Sequence, residues 1–297
     1  MNSAQTYDMA FIGHYTKDTI VSAAGQRVVD GGACNYGANV AVRMGLKTAV
    51  VTRLAEEDRH VVEGLRRLGV DVFVRFTPQS TCLRLEYPTT NVDERVIYVT
   101  SSAGPFTSEE VEGLQARAIL IGASLRGEVS PEVVEALASK TPRLAADGQS
   151  FLRVVRDGVL VAEPWPEKAQ VLALLQVLKA DAVEAELLTG ESDLRRAAQL
   201  IADWGPREVV LTHRDGLLVY AEGQFHTAPF RRQALIGRSG RGDTTIAAYM
   251  ARRLNASPAE ATIWAAAVAS LKMEAEGPFR RQISEVEDLI RREYRGW

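Results

Sequence analysis

The sequence predicts an α/β fold: three layers, with a mostly parallel central sheet and a small β-sheet lid. Three observations carry this. Short apolar runs alternate with stretches of helical apolar spacing along most of the chain. Between residues 82 and 100 that rhythm gives way to two runs alternating every second residue, as a hairpin does. Late in the chain, Gly237-Arg238-Ser239-Gly240-Arg241-Gly242-Asp243-Thr244 sets three glycines in six residues ahead of a helical run, Ile246 to Leu254, with apolar residues at 246, 250 and 254.

The bulk numbers narrow the function classes. A chain of 297 residues holds one large α/β domain or two small ones; with no linker or repeat in view it reads as one domain, 1–297. Hydrophobic residues at 46% and charged residues at 25% are ordinary for a globular protein, and a net charge of −3 gives no nucleic-acid or membrane surface. Cys34 and Cys82 form no C-x-x-C, and the four histidines form no H-x-x-x-H pair, so neither a disulfide framework nor a zinc site is expected. No apolar run is long enough to span a bilayer and Met1 to Asp8 is polar, so a cytoplasmic protein is expected. G-x-G-x-x-G and G-x-S-x-G are both absent.

In order, Met9 to Gly13 reads as the first strand, with the polar segment His14 to Asp18 at its carboxyl end, where open α/β sheets place ligands. Asp18 by itself reads as a turn residue. Gly31-Gly32 opens a helix, Ala33 to Met44, with Tyr36, Val40, Ala41 and Met44 on one face and Gly45 closing it. The amide of Asn35, in the first turn, can both donate to and accept from a ligand hydroxyl. Thr48 to Arg53 is strand, Asp58 to Leu68 helix and Val70 to Phe76 strand. Cys82 to Tyr87 and Arg95 to Thr100 pair around the turn-like Pro88 to Glu94; with Ile20 to Val29 they form a lid, or else an antiparallel edge of the main sheet. Ala118 to Ile121 is strand, Pro131 to Ser139 a helix capped at Ser130, and Leu144 to Ala146 a strand ending in Asp147. Glu167 to Leu178 and Asp193 to Trp204 read as helices; Glu208 to Thr212 and Leu217 to Ala221 read as strands joined by His213 to Gly216. Pro258 to Lys272 is an Ala-rich helix, apolar all round and therefore expected to be buried.

The glycine loop carries the chemistry. A glycine loop opening a helix is an anion site, because unpaired N–H groups and the helix dipole point the same way. Gly237-x-x-x-x-Gly242 has the frame of a P-loop, but Asp243 stands in place of the lysine. Either this carboxylate takes a proton from an attacking hydroxyl or it caps the helix. Asp181 and Glu184, three apart, are either a solvated helix face or oxygens that hold Mg²⁺ through water.

These stretches together resemble the ribokinase (PfkB) family of sugar kinases, from Gly13 to about Gly277. Gly240, Gly242 and Asp243 match that family's D-T-x-G-A-G-D signature; Gly237, Arg238 and Arg241 depart from it. Gly31, Gly32, Asn35, Ala38, Ala41 and Gly45 resemble its early GG signature, and Gly13 with Asp18 its G-x-x-x-x-D element. Glu184 matches the Glu of N-x-x-E, with Asp181 replacing the Asn; Thr212 and Gly216 match the strand–loop–strand beside the nucleotide. Asp147, with Gln149 and Arg153 after it, resembles a stretch of the archaeal inositol kinases.

The resemblance implies a ribokinase-like fold with a lid from about residues 15–32 and 72–101. It implies phosphoryl transfer from ATP, with Mg²⁺ and a monovalent cation, to a hydroxyl of a small sugar or cyclitol. Asp243 would be the base and Gly240, Arg241 and Gly242 the anion cradle. Asp18, Gly31, Gly32, Asn35 and Asp147 would hold the substrate, and Glu184 the metal's waters. Thr212, Gly216, Gly240 and Gly242 would hold the nucleotide, with the adenine pocket closing at Ala266 to Ser270. Arg241 would reach the phosphates or else point to solvent. A nucleoside kinase and a binding protein without activity are the rival readings. A lid of exposed strands would also suit a homodimer.

Overall fold

A computed structural model describes residues 6–23, 25–89 and 95–295. The chain begins with β1 (Tyr7–Ile12), β2 (Thr16–Ser22), β3 (Gly25–Gly31), α1 (Ala33–Arg43), β4 (Thr48–Ala55), α2 (Arg59–Arg67), β5 (Asp71–Thr77), β6 (Thr81–Glu86) and β7 (Val96–Ser101). The middle holds β8 (Ala116–Ile121), α3 (Pro131–Ala138), β9 (Leu144–Asp147), α4 (Gln149–Leu152), β10 (Arg153–Arg156), β11 (Val159–Ala162), α5 (Lys168–Leu172), β12 (Val177–Asp181), α6 (Ala182–Thr189) and α7 (Leu194–Asp203). Last come β13 (Glu208–Thr212), β14 (Gly216–Ala221), β15 (Gln224–Pro229), α8 (Arg241–Arg253), α9 (Pro258–Met273) and α10 (Ile283–Glu293).

Nine strands form the central sheet, in the order β15-β14-β13-β12-β9-β8-β1-β4-β5. From β5 to β13 every pairing is parallel; β14 and β15 add an antiparallel edge. Strand alternation sends side chains to two apolar layers. Met9 and Phe11 pack in one core with α1, α8 and α9; Ala10 and Ile12 pack in the other with α3, α6 and α7. Burying one such side chain stabilises the fold by roughly 1.5–3 kcal/mol. Strand order reverses beside β1, so the loops after β1 and β8 diverge and leave a crevice at the carboxyl ends.

The period-two runs form a separate six-stranded sheet, β10-β11-β7-β6-β2-β3, and not an edge of the main one. Asp18 lies inside β2 of this sheet and not in a turn. The strand at residues 71–77 is the outer strand of the central sheet, so the second lid segment starts at β6. Of the turn expected at Pro88 to Glu94, residues 90–94 lie outside the described residues.

Two expectations need correction. The helix read over Glu167 to Leu178 is only Lys168–Leu172, because residues 177–181 are the strand that β9 and β13 flank on both sides. The hairpin β10–β11 was not anticipated, although its turn, Asp157-Gly158, has both φ angles positive (51° and 79°), as a two-residue type I′ turn requires. Ser130 occupies the cap position of α3 without a side-chain bond to the helix backbone.

Candidate active site

The crevice lies between the lid and the carboxyl ends of the central strands. Asp18 and Thr16 of β2, Gly32 and Tyr36 at the start of α1, and Leu83, Leu85, Arg95 and Ile97 around the β6–β7 hairpin close it from the lid side. Arg153, Lys179, Asp181, Thr212 and residues 238–243 form its floor and far end.

Asp243 is at the third residue of α8, and Gly240 holds the cap position with φ 73°. The capping reading of Asp243 is therefore excluded. Gly240 is obligatory on two grounds: its left-handed φ, and the Tyr36 ring, with which a Cβ would collide. Asp243 faces Lys179, Arg153 and Lys272; burial raises its pKa, and those cations oppose the rise.

Asp18 is 7% exposed, and its Oδ1 is a buried oxygen with no hydrogen-bond partner. Its pKa is pushed up to about 6, first by burial and then by the Asp243 and Asp30 carboxylates, against the Thr16 hydroxyl and Arg95. Asp18 lines the crevice, and a buried acceptor left without a partner carries a cost that a hydrogen-bond donor would offset. A side chain on Gly31 would strike Asp18 and Thr16, and Gly32 has φ 94° close against the His14 carbonyl. The two glycines let α1 begin next to Asp18. Asn35 lies deeper: its Nδ2 donates to the Asp30 carbonyl at 3.2 Å, and its Oδ1 accepts from Asn39 at 3.2 Å.

Beneath the glycine loop is a cluster of buried charges. Lys179 of β12, 4% exposed, donates to Asp147 Oδ2 at 3.0 Å and to Oδ1 at 3.2 Å, and Glu184 Oε2 is 4.0 Å away. Burial alone would lower the Lys179 pKa; Asp147, Glu184 and Asp181 outweigh it, so the ammonium stays charged. A side chain on Gly242 would run into Lys179 Nζ at 2.9 Å, so the ammonium abuts the first turn of α8. Glu184 is no solvated face: with Asp181 it forms a capping box for α6, Oε2 accepting from Asp181 N–H at 2.9 Å. Its Oε1 meets Arg153 Nη2 at 3.4 Å.

Mg²⁺ fits this site poorly as a direct protein ligand. Both Glu184 oxygens already have protein partners, two cations stand beside them, and among the described residues no group of three or more His, Cys, Asp or Glu is placed to hold a metal. The surroundings suit an anion better.

Arg241 lines the crevice, its guanidinium 5.4 Å from the Phe230 ring centre. Thr212 also lines it; Gly216 starts β14 against the Ala228 carbonyl, away from it. Ala266 to Ser270, where the resemblance expects adenine, are completely buried: Arg231 N–H donates to Ser270 Oγ at 2.8 Å, and Tyr294 donates to the Pro229 carbonyl at 2.7 Å. Asp18, Gly32, Asp243 and the cradle residues thus meet in one crevice. Lys179, Arg95 and Lys272 were not foreseen. A lysine in an apolar strand or a buried helix is the signal that would have found two of them, since buried lysines need partners.

Two buried carboxylates facing a glycine loop and several cations in one crevice are groups that a phosphotransferase could use. The model of the pfkB family carbohydrate kinases matches residues 7–281. The chain belongs to that family. It has the ribokinase-like fold and is a phosphotransferase. It is similar to a pyrophosphate-dependent kinase of the ribokinase family solved with a pyrophosphate analog and myo-inositol: 34% identity over 94% of this chain and 99% of that one, TM-score 0.87. Arabidopsis thaliana ribokinase, solved with ribose and ATP, shares the fold at 18% identity, TM-score 0.75, over 96% and 99% of the two chains. A cytidine kinase of Thermococcus kodakarensis is 23% identical over 261 residues, 85% of this chain and 91% of that protein.

Proposed function

We propose that this kinase transfers a phosphoryl group from inorganic pyrophosphate to a hydroxyl of an inositol-like polyol. The observation that carries the donor is the environment of the crevice: buried or half-buried cations lie under the glycine loop, while the residues expected around adenine are fully covered. Two phosphates need charge and hydrogen-bond donors, and the crevice offers both. The similarity to a pyrophosphate-dependent kinase bound to myo-inositol points the same way.

In this reading Asp18 accepts hydrogen bonds from acceptor hydroxyls and turns one of them toward Asp243. Asp243 takes that hydroxyl's proton as its oxygen bonds the near phosphorus of the donor, and the bridging P–O bond breaks to release orthophosphate. Lys179, Arg153 and Arg241, with the N–H groups at the start of α8, hold the donor's oxygens as charge shifts to the leaving group. Asp147 holds Lys179 charged and in place. A divalent ion carried in on the donor's oxygens would supply further neutralisation; the chain's residues offer it water-mediated contact at most.

The test is phosphorylated product formed with pyrophosphate or ATP as donor, across myo-inositol, ribose, fructose and cytidine. Turnover with pyrophosphate and an inositol, abolished in Asp243→Asn, is the expected result. ATP as the better donor would overturn the donor reading, and cytidine as the better acceptor would overturn the acceptor reading.

A further inference from the structure

Lys272 is near the end of α9, within a helix otherwise packed with alanines, and is 2% exposed. A lysine so covered must satisfy three donor hydrogens inside the protein. Its Nζ donates to the carbonyl of Gly237 at 2.7 Å and, more closely still, to that of Ser239. The ring of Tyr36 is 5.4 Å away, and the carboxylates of Asp243 and Glu276 supply the opposite charge around it.

These two bonds fix more than the lysine. In a trans peptide the N–H points opposite the C=O, and the described chain has no cis bond. Turning the Gly237 and Ser239 carbonyls onto Lys272 therefore turns the N–H groups of Arg238 and Gly240 away from it. Arg238 and Gly240 line the crevice that holds Asp243. Backbone bonds hold the neighbouring peptides, Gly237 N–H to the Met273 carbonyl at 3.0 Å and Arg241 N–H to the Arg238 carbonyl at 3.1 Å; with no side-chain cap on the helix, the Lys272 contacts set the Gly237–Arg238 and Ser239–Gly240 peptides between them.

We propose that Lys272 is a positioning residue, a tethered cation that orients the glycine loop and makes it independent of any dissolved monovalent ion. This rests on the loop of Asp243 being the reacting end of the site, but not on the identity of donor or acceptor.

The experiment compares the intact chain with Lys272→Ala in potassium, ammonium, methylammonium and tetramethylammonium chloride at equal ionic strength, reading thermal midpoint and turnover. The intact chain should melt and turn over alike in all four salts. The alanine variant should melt lower, lose on the order of 10–100-fold in kcat with acceptor KM within about twofold, and recover both readings in ammonium or methylammonium but not in tetramethylammonium. An intact enzyme that requires potassium overturns the proposal, as does an alanine variant with unchanged kcat or one whose midpoint ignores the cation. If the alanine variant folds in none of the salts, the ion dependence of the intact chain decides alone. The melting arm stands even if no donor tried supports turnover, so a failure here is separable from failure of the donor reading.

Discussion

At Asp18, burial and the proposed hold on an acceptor hydroxyl pull against each other. Its folded pKa, about 6, is above the ordinary 3.8, so the fold favours the protonated acid. Ionisation then costs stability as pH rises through the interval from 3.8 to about 6, and the full cost, up to about 3 kcal/mol, is present at neutral pH. Asp18→Asn should raise unfolding free energy by about 1–3 kcal/mol at neutral pH and by nothing near pH 4, while turnover falls by on the order of 10²-fold or more. Urea melts at the two pH values check the first part; a variant less stable at both would remove this account of Asp18. Lys272 titrates in the opposite sense. Burial lowers its pKa to about 8, against Asp243 and Glu276. Its charge is lost as pH climbs through about 8, and kcat should decline there; Lys272→Arg, still charged, should move that alkaline limb upward.

The elements divide into those the sequence marks and those only tertiary pairing decides. The glycine loop and its helix, the helix after Gly32 and the hairpin at 82–100 were all legible, because each has a local signature of caps, glycines or period. The strand at 177–181 was not: five residues, V-L-K-A-D, fit a helix tail as well as a strand until neighbours on both sides are known. Losing that strand also hid Lys179, and with it the cationic half of the site. The β10–β11 hairpin has one local mark, its Asp157-Gly158 turn, between strands of only four residues each. Gly158 holds φ 79°, does not line the crevice, and a Cβ there would meet nothing within 4 Å, so Gly158→Ala should cost about 1 kcal/mol by chemical denaturation and leave kcat within about twofold. A large loss of turnover would mean that the hairpin does more than complete the lid.

Across the whole molecule the charge is uneven. The chain carries a net −3, yet Arg95, Arg153, Lys179, Arg238 and Arg241 line one crevice beside Asp18, Asp181 and Asp243, five cations to three carboxylates. A partly enclosed cationic site concentrates field lines and draws in anions, and salt screens that attraction over a Debye length of about 10 Å at 0.1 M. Raising sodium chloride from about 0.05 M to about 0.5 M should therefore raise KM for an anionic donor several-fold and leave KM for a neutral polyol within about twofold. Equal changes in both would place the salt effect elsewhere. The lid has a further consequence, for the order in which the protein is made. Its six strands come from three separate stretches, and the last of them ends at Ala162. By then β1, β4, β5, β8 and β9 are also complete, a contiguous half of the central sheet. Lys179, Asp243 and Lys272 have yet to leave the ribosome. Since a domain folds as a unit, the crevice, whose lining runs from Thr16 to Asp243, closes only after most of the chain has emerged.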